Sequence, residues 1–206
     1  MAVKLEFLPG EAGKPAQTLF ALARDSRFVL WVVDNKQDII RILSIFDRYP
    51  FLTSRTTLQL RFMRHCLQHN DISRYFNERE LKYADRSNVI SDFSNINLLE
   101  LPYYPAWLSG FIEAESCFSV RNAPHYDVYS FAIGQNHDKY LIESIKLYFQ
   151  TDNSNPHIVR NPNKNFFLLE IYRKETLLSI FSHLSLYPLL GNKHSQALTF
   201  FSKVFY

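Results

Sequence analysis

The spacing of apolar and polar positions changes period several times along the chain, and each change predicts an element. Phe28 to Val33 and Phe166 to Tyr172 are β-rich runs, followed by Lys36 to Arg48 and Lys174 to Leu186, where apolar residues recur at helical spacing. Both helical stretches end in Tyr-Pro, because proline disfavours helical geometry in the residue before it and cannot continue the ladder. Another helix is expected after each, over Thr53 to Cys66 and Asn192 to Val204. Aligned without a gap at an offset of 138, residues 28–63 and 166–201 are identical at ten of 36 positions. The ten pairs are Phe28/Phe166, Leu30/Leu168, Lys36/Lys174, Ile42/Ile180, Ser44/Ser182, Tyr49/Tyr187, Pro50/Pro188, Leu52/Leu190, Leu60/Leu198 and Phe62/Phe200. Chance would give roughly two or three at this composition, so the two segments read as copies of one unit.

Ahead of the second copy, Pro105 to Ser116 reads as a helix with proline in its tolerant first turn. Cys117 to Arg121 and Tyr126 to Gln135 alternate as strands, Asp138 to Phe149 is an amphipathic helix, and Thr151 to Pro156 is a polar turn. Residues 105–206 therefore read αββαββα, an α+β unit. The first copy has no matching half: Trp107 shifted back by 138 falls before residue 1, and Pro9, Gly10, Gly13 and Pro15 break rather than build a helix. The expected organisation is a remnant of the first unit over 1–67, a polar linker over 68–104 with a helical patch at 77–84, and a complete unit over 105–206.

Composition narrows the chemistry. The 206 residues are 47% hydrophobic and 16% aromatic, enough for a packed core. Two cysteines, Cys66 and Cys117, supply neither a disulfide framework nor a four-cysteine zinc site. No apolar run approaches the roughly 20 residues of a membrane span. Glu6, Glu11 and Asp25 interrupt the first thirty residues, which match neither a signal nor a transit peptide. A net charge of +3 is compatible with nucleic-acid binding without demanding it. His65 and His69 lie at helical i, i+4 spacing, but no glutamate stands between them and no third ligand is apparent, so they read as surface residues.

One segment carries the chemistry. In Trp107-Leu-Ser-Gly-Phe-Ile-Glu-Ala-Glu-Ser-Cys-Phe118, Gly110 and Ala114 lie four apart on one helical face, where small side chains let a second helix approach closely. Glu115 falls at the C-terminus of that helix, where the negative end of the macrodipole disfavours an unpaired carboxylate and favours a divalent cation. A cation there would polarise a phosphate and activate water.

Leu108 to Ser116 resembles the LAGLIDADG motif of homing endonucleases, in the single-chain, two-repeat branch encoded in organellar introns. Leu108, Gly110, Ile112 and Ala114 match that pattern outright; Ser109 and Phe111 are close substitutes, and Glu113 and Glu115 stand for aspartates. Ser116 departs from it, standing where the family has glycine.

The resemblance implies a saddle of two αββαββα repeats, the second complete and the first lacking its N-terminal half. It also implies hydrolysis of double-stranded DNA at a long target site, with Mg2+ held by Glu115. Each of two paired helices delivers one carboxylate, and only one such helix is visible here. Paired helices would come from residues outside this chain or from a dimer through the Leu108 to Ser116 helix; otherwise the chain acts as a monomer. Lys193, five residues after Pro188, resembles the basic residue that steadies charge on the phosphate. Arg55 is its repeat mate after Pro50, and Gln135 resembles the residue that orients active-site water. DNA would lie on the outer sheet face, where alternation places Ser119 and Arg121, Ser130 and Ala132, and Leu168, Glu170 and Tyr172, with Arg160 and Lys164 supplying charge. The same alternation turns Phe118, Val120, Tyr129, Phe131, Ile133, Phe167, Leu169 and Ile171 toward the core. A mitochondrial or plastid location is implied in the same way. The alternative is a cleavage-deficient relative that binds nucleic acid, such as a maturase acting on group I intron RNA or a structural module; a decaying reading frame is a third.

Overall fold

A computed structural model describes residues 32–33, 35–69, 72–150, 158–161 and 165–205. The chain divides into two compact units at Ser91/Asp92. In the first, helices α1 (Lys36–Arg48) and α2 (Ser54–His69) form a hairpin, followed by α3 (Ile72–Glu78), a 3-10 turn at Leu81–Tyr83 and α4 (Arg86–Ser94), which crosses the boundary. Asn35 caps α1 by accepting from the N–H of Gln37 at 2.8 Å. Arg64 ties the hairpin, reaching Asp47 at 2.6 Å and the Leu43 carbonyl at 3.4 Å. The strand expected over 28–33 lies outside the described residues except for Val32 and Val33, which are irregular.

The 68–104 stretch, expected as a polar tether, holds α3, α4 and two 3-10 turns, the second at Leu98–Glu100. Its polarity concealed two anchors, Val89 and Leu98, which are buried. One apolar residue per turn fixes a short polar helix to a core without creating a visible amphipathic stripe.

The second unit follows its predicted order. Helix α5 (Tyr104–Glu115) runs into β1 (Ser116–Asn122), then β2 (Asp127–Asn136), α6 (Lys139–Tyr148), β3 (Ile158–Asn161), β4 (Phe166–Ile171), α7 (Lys174–Leu186) and α8 (Lys193–Phe205). The four strands form one antiparallel sheet in the order β1-β2-β4-β3. Alternation works as expected on β4, where Phe167, Leu169 and Ile171 are buried and Phe166, Leu168 and Glu170 are half-buried. Phe131, Ile133, Leu169 and Ile171 of the sheet and Leu108, Ile112, Leu141, Ile142, Ile145, Leu177 and Ile180 of the helices are all buried and make up the core. Phe118 extends that core toward α8, its ring 5.4 Å from Phe200 and 5.6 Å from Phe201. Val120 and Tyr129 are half-buried along the same side.

The opposite sheet face carries a close contact: the Phe166 ring lies over Gly134, where an added Cβ would come within 2.3 Å of the ring. Only glycine leaves space for that ring.

Candidate functional site

Helix α5 ends on Ser116. The Ser116 backbone N–H and its hydroxyl both donate to the Ile112 carbonyl, the hydroxyl at 2.7 Å. Its φ of −87° and ψ of 164° are ordinary extended values, so the glycine of the family pattern is not required here. The chain passes directly from helix into β1 and leaves Glu115 exposed at the junction.

Lys193, the first residue of α8, donates its ammonium to the Ser116 carbonyl. A cation therefore sits on the negative end of α5, one residue from Glu115. Gln135 is half-buried near the end of β2, two residues beyond Ile133, the β1 partner of Ser116. That places it roughly 7 Å along the strand, on the same side of the pleat as Ile133. Its Oε1 accepts from the Asn136 N–H at 3.0 Å. Arg55 is exposed in the first turn of α2, in the other unit.

Gly110 and Ala114 share an exposed face of α5, and among the described residues nothing lies within 4 Å of a Cβ built on Gly110. On the outer sheet face, Ser119 and Ala132 are half-buried, Arg121 and Tyr172 are exposed, and Glu170 is half-buried opposite Ala132. Ser130 does not fit its expected role: it is in register with Ser119 but is buried, only 7% exposed, on a strand flanked on both sides. Of Arg160, the structure gives only its place on β3 opposite Phe167, and Lys164 lies outside the described residues.

Two sets of contacts escaped sequence reasoning. Glu113 accepts from the backbone N–H groups of Gly191 and Lys193, each at 3.2 Å, so its carboxylate caps the start of α8. Ser109 donates to the Tyr187 carbonyl at 2.7 Å and meets His183 Nε2 at 3.0 Å, while Tyr148 meets His183 Nδ1 at 3.1 Å. With the Ser109 proton committed to Tyr187, the consistent assignment has Nε2–H donating to Ser109 and the Tyr148 hydroxyl donating to Nδ1. Burial pushes His183 down to about 4, so the ring is neutral at neutral pH. The signal that would have found these residues was the i, i+4 spacing of Ser109 and Glu113, which puts both on one face.

His65 also departs from expectation: it is half-buried, with Nε2 3.0 Å from Glu78. His69 turns its Nδ1 to the His65 carbonyl at 2.9 Å, and among the described residues no three His, Cys, Asp or Glu side chains converge on a cation position. Glu115 offers instead one exposed hard oxygen donor, which fits a divalent cation shared with phosphate and water rather than an all-protein cage.

A helix that ends in an exposed carboxylate at the edge of an antiparallel sheet, with a lysine at the same edge, defines a recognisable class. A family model described as LAGLIDADG endonuclease matches residues 108–204. A probable intron-encoded endonuclease aI3 of Debaryomyces hansenii is 40% identical over 204 residues, covering 84% of this chain and 28% of that protein. Proteins of the same description from Dictyostelium citrinum and Dictyostelium discoideum are 38% and 30% identical, over 81% and 86% of this chain and 64% and 71% of theirs. The chain thus spans 28% and 64% of the length of the first two of these relatives.

Among solved structures, the fold is shared with the LAGLIDADG meganuclease I-CpaMI bound to uncleaved DNA, at a TM-score of 0.60 and 18% identity over 84% of this chain and 67% of that one. I-SmaMI bound to an uncleaved DNA target in the presence of calcium ions gives a TM-score of 0.60 and 18% identity over 84% and 66%. The chain belongs to the LAGLIDADG endonuclease family.

Proposed function

We propose that the second unit is one half-site of an endonuclease that hydrolyses phosphodiester bonds of double-stranded DNA with a divalent cation, Mg2+ by preference. The observation that carries this reading is the junction of α5 and β1, where Glu115 is exposed and the Lys193 ammonium lies on the neighbouring carbonyl of Ser116. Glu115 would hold the cation, which when bound polarises the scissile phosphate and lowers the pKa of a water. Lys193 steadies the charge that develops on the phosphate. Gln135, with its amide nitrogen left to donate, orients the attacking water.

The second carboxylate belongs to another helix packed on Gly110 and Ala114, from the same polypeptide or a second copy. Sedimentation with and without a target duplex distinguishes those sources. The outer sheet face, with Ser119, Arg121, Ala132, Glu170 and Tyr172, tracks the major groove, and Arg160 and Lys164 add phosphate contacts, while Arg55, the repeat mate of Lys193, takes the charge-steadying part in the first unit. An organellar location, mitochondrial or plastid, accords with the intron-encoded relatives, and cell fractionation checks it.

The test is incubation with Mg2+ and a library of long duplexes. Discrete cuts abolished by Glu115→Gln support the reading. Binding without cuts, unchanged by Glu115→Gln, replaces it with a nucleic-acid-binding relative, and competition by group I intron RNA would then mark a maturase.

A further inference from the structure

The α7–α8 loop is held along a single face of α5. Ser109 takes the Tyr187 carbonyl at the start of the loop, and Glu113 takes the N–H groups of Gly191 and Lys193 at its end. The Ser116 carbonyl then takes the Lys193 ammonium. Residues 109, 113 and 116 follow i, i+4, i+7, the spacing that stacks contacts turn above turn on a helix. The loop fits this face closely: a Cβ on Gly191 would lie 2.5 Å from Glu113 Oε1 and 3.0 Å from its Cδ, so any larger residue there makes the carboxylate shift from its present place.

We infer that Glu113 is a positioning residue which, by gripping the backbone of Gly191 and Lys193, sets the Lys193 ammonium at the end of α5 beside Glu115. The significance of that placement rests on the half-site proposed above; the grip itself does not.

The two acids of the motif thereby divide their work. Glu113 has each oxygen engaged by a backbone N–H, whereas Glu115 is exposed. A lysine has a flexible four-carbon stem, and anchoring its backbone one residue from a capped helix start restricts where the ammonium can reach. That is preorganisation of a charge without contact between Glu113 and any reacting atom.

The experiment uses the full chain, acylated briefly with an acetyl ester of N-hydroxysuccinimide at fixed neutral pH and read by mass spectrometry. Lys203, exposed on the same helix, is the internal reference. In the wild type Lys193 reacts more slowly than Lys203. Glu113→Ala, which removes both accepting oxygens, raises the Lys193/Lys203 ratio about fivefold or more, and Gly191→Ala, which pushes the carboxylate aside, raises it in the same direction by a smaller factor. Glu113→Gln, which keeps one accepting oxygen, raises it less. An unchanged ratio in a cooperatively melting Glu113→Ala variant overturns the inference. Should that variant not fold, Glu113→Gln and Gly191→Ala decide the matter on the same ratio.

Where the chain cuts DNA, a double-mutant cycle supplies the functional readout: Glu113→Ala lowers kcat in the wild type but adds little to Lys193→Met. Full additivity would sink the positioning role. A wild-type chain that neither binds nor cuts any duplex defeats the half-site reading and leaves the labelling result intact, so the two failures are distinguishable.

Discussion

The α1–α2 and α7–α8 hairpins share a backbone and bury opposite things. Helices α1 and α7 span 36–48 and 174–186, the same offset as the sequence repeat, and both end on a tyrosine: Tyr49 at φ −130° and ψ 75°, Tyr187 at φ −125° and ψ 78°. Each tyrosine N–H donates to the carbonyl four residues back at 2.9 Å. Yet Leu52 is 1% exposed while its identical mate Leu190 is 94% exposed, and Ile45 is 55% exposed where its mate His183 is 5%. The repeat encodes a helix hairpin with a Tyr-Pro stop. What the hairpin buries is decided by its surroundings, and in the second unit the surroundings are α5 with its Ser109 and Glu113.

The largest effect expected concerns that helix. If the chemistry belongs to α5 rather than to the hairpin, Glu115→Gln lowers cutting on the order of a thousandfold, about 4 kcal/mol of transition-state stabilisation, with the melting temperature unchanged. Lys193→Met should follow at a smaller factor and exceed Arg55→Met; equal losses at Lys193 and Arg55 would mean that both hairpins serve the site alike. Next in size is a contrast of stability between identical residues. Leu52→Ala is expected to cost about 2–5 kcal/mol by leaving a cavity, and Leu190→Ala about 0.5 kcal/mol or less. Urea denaturation of the two variants measures this, and similar midpoints would break the comparison.

What could be read from the sequence follows from how local each signal is. The strand and helix order of the second unit was legible because alternation and helical spacing are properties of a few consecutive residues. The boundaries of α5 shifted by one residue, from 105–116 to 104–115, because Ser116 closes the helix with its side chain. Glu115 and Lys193 were reachable through motif resemblance. Their junction at Ser116 was not, since it joins residues 77 positions apart. Glu113 was passed over because, within the motif, two acids two residues apart look equivalent. Only the position of the 187–193 loop separates them. The burial of Ser130 was invisible for a related reason: alternation assigns a side chain to a face but says nothing about the height of its neighbours.

A smaller effect tests the hairpins by pH. His183 has a folded value near 4 against an ordinary 6.5, and its cause is burial. The unfolded chain takes up a proton near 6.5 and the folded chain only near 4. The stability associated with the neutral ring is therefore fully present above pH 6.5 and drains away between 6.5 and 4. Its ceiling is about 3 kcal/mol. His183→Phe should flatten the fall in stability across that window. Since Ile45 occupies the matching place in the first unit, a steep fall that survives His183→Phe would have to come from groups other than His183.

The smallest change restores the family's own letter. Ser109→Ala returns the second position of the motif to alanine, so on pattern alone it should be neutral or better. The structure argues otherwise. The hydroxyl donates to Tyr187 and receives His183 Nε2–H, and both partners lie where α5 covers the α7 end. Removing it strands a donor and a carbonyl against a methyl group, at about 1–3 kcal/mol. The same substitution frees the first tether of the 187–193 loop while leaving Glu113 on its second, so stability should drop with little change in the Lys193/Lys203 labelling ratio. A rise in that ratio equal to the one from Glu113→Ala would show that the loop moves as a single body, and that the grip on Lys193 is shared along α5 rather than held at Glu113.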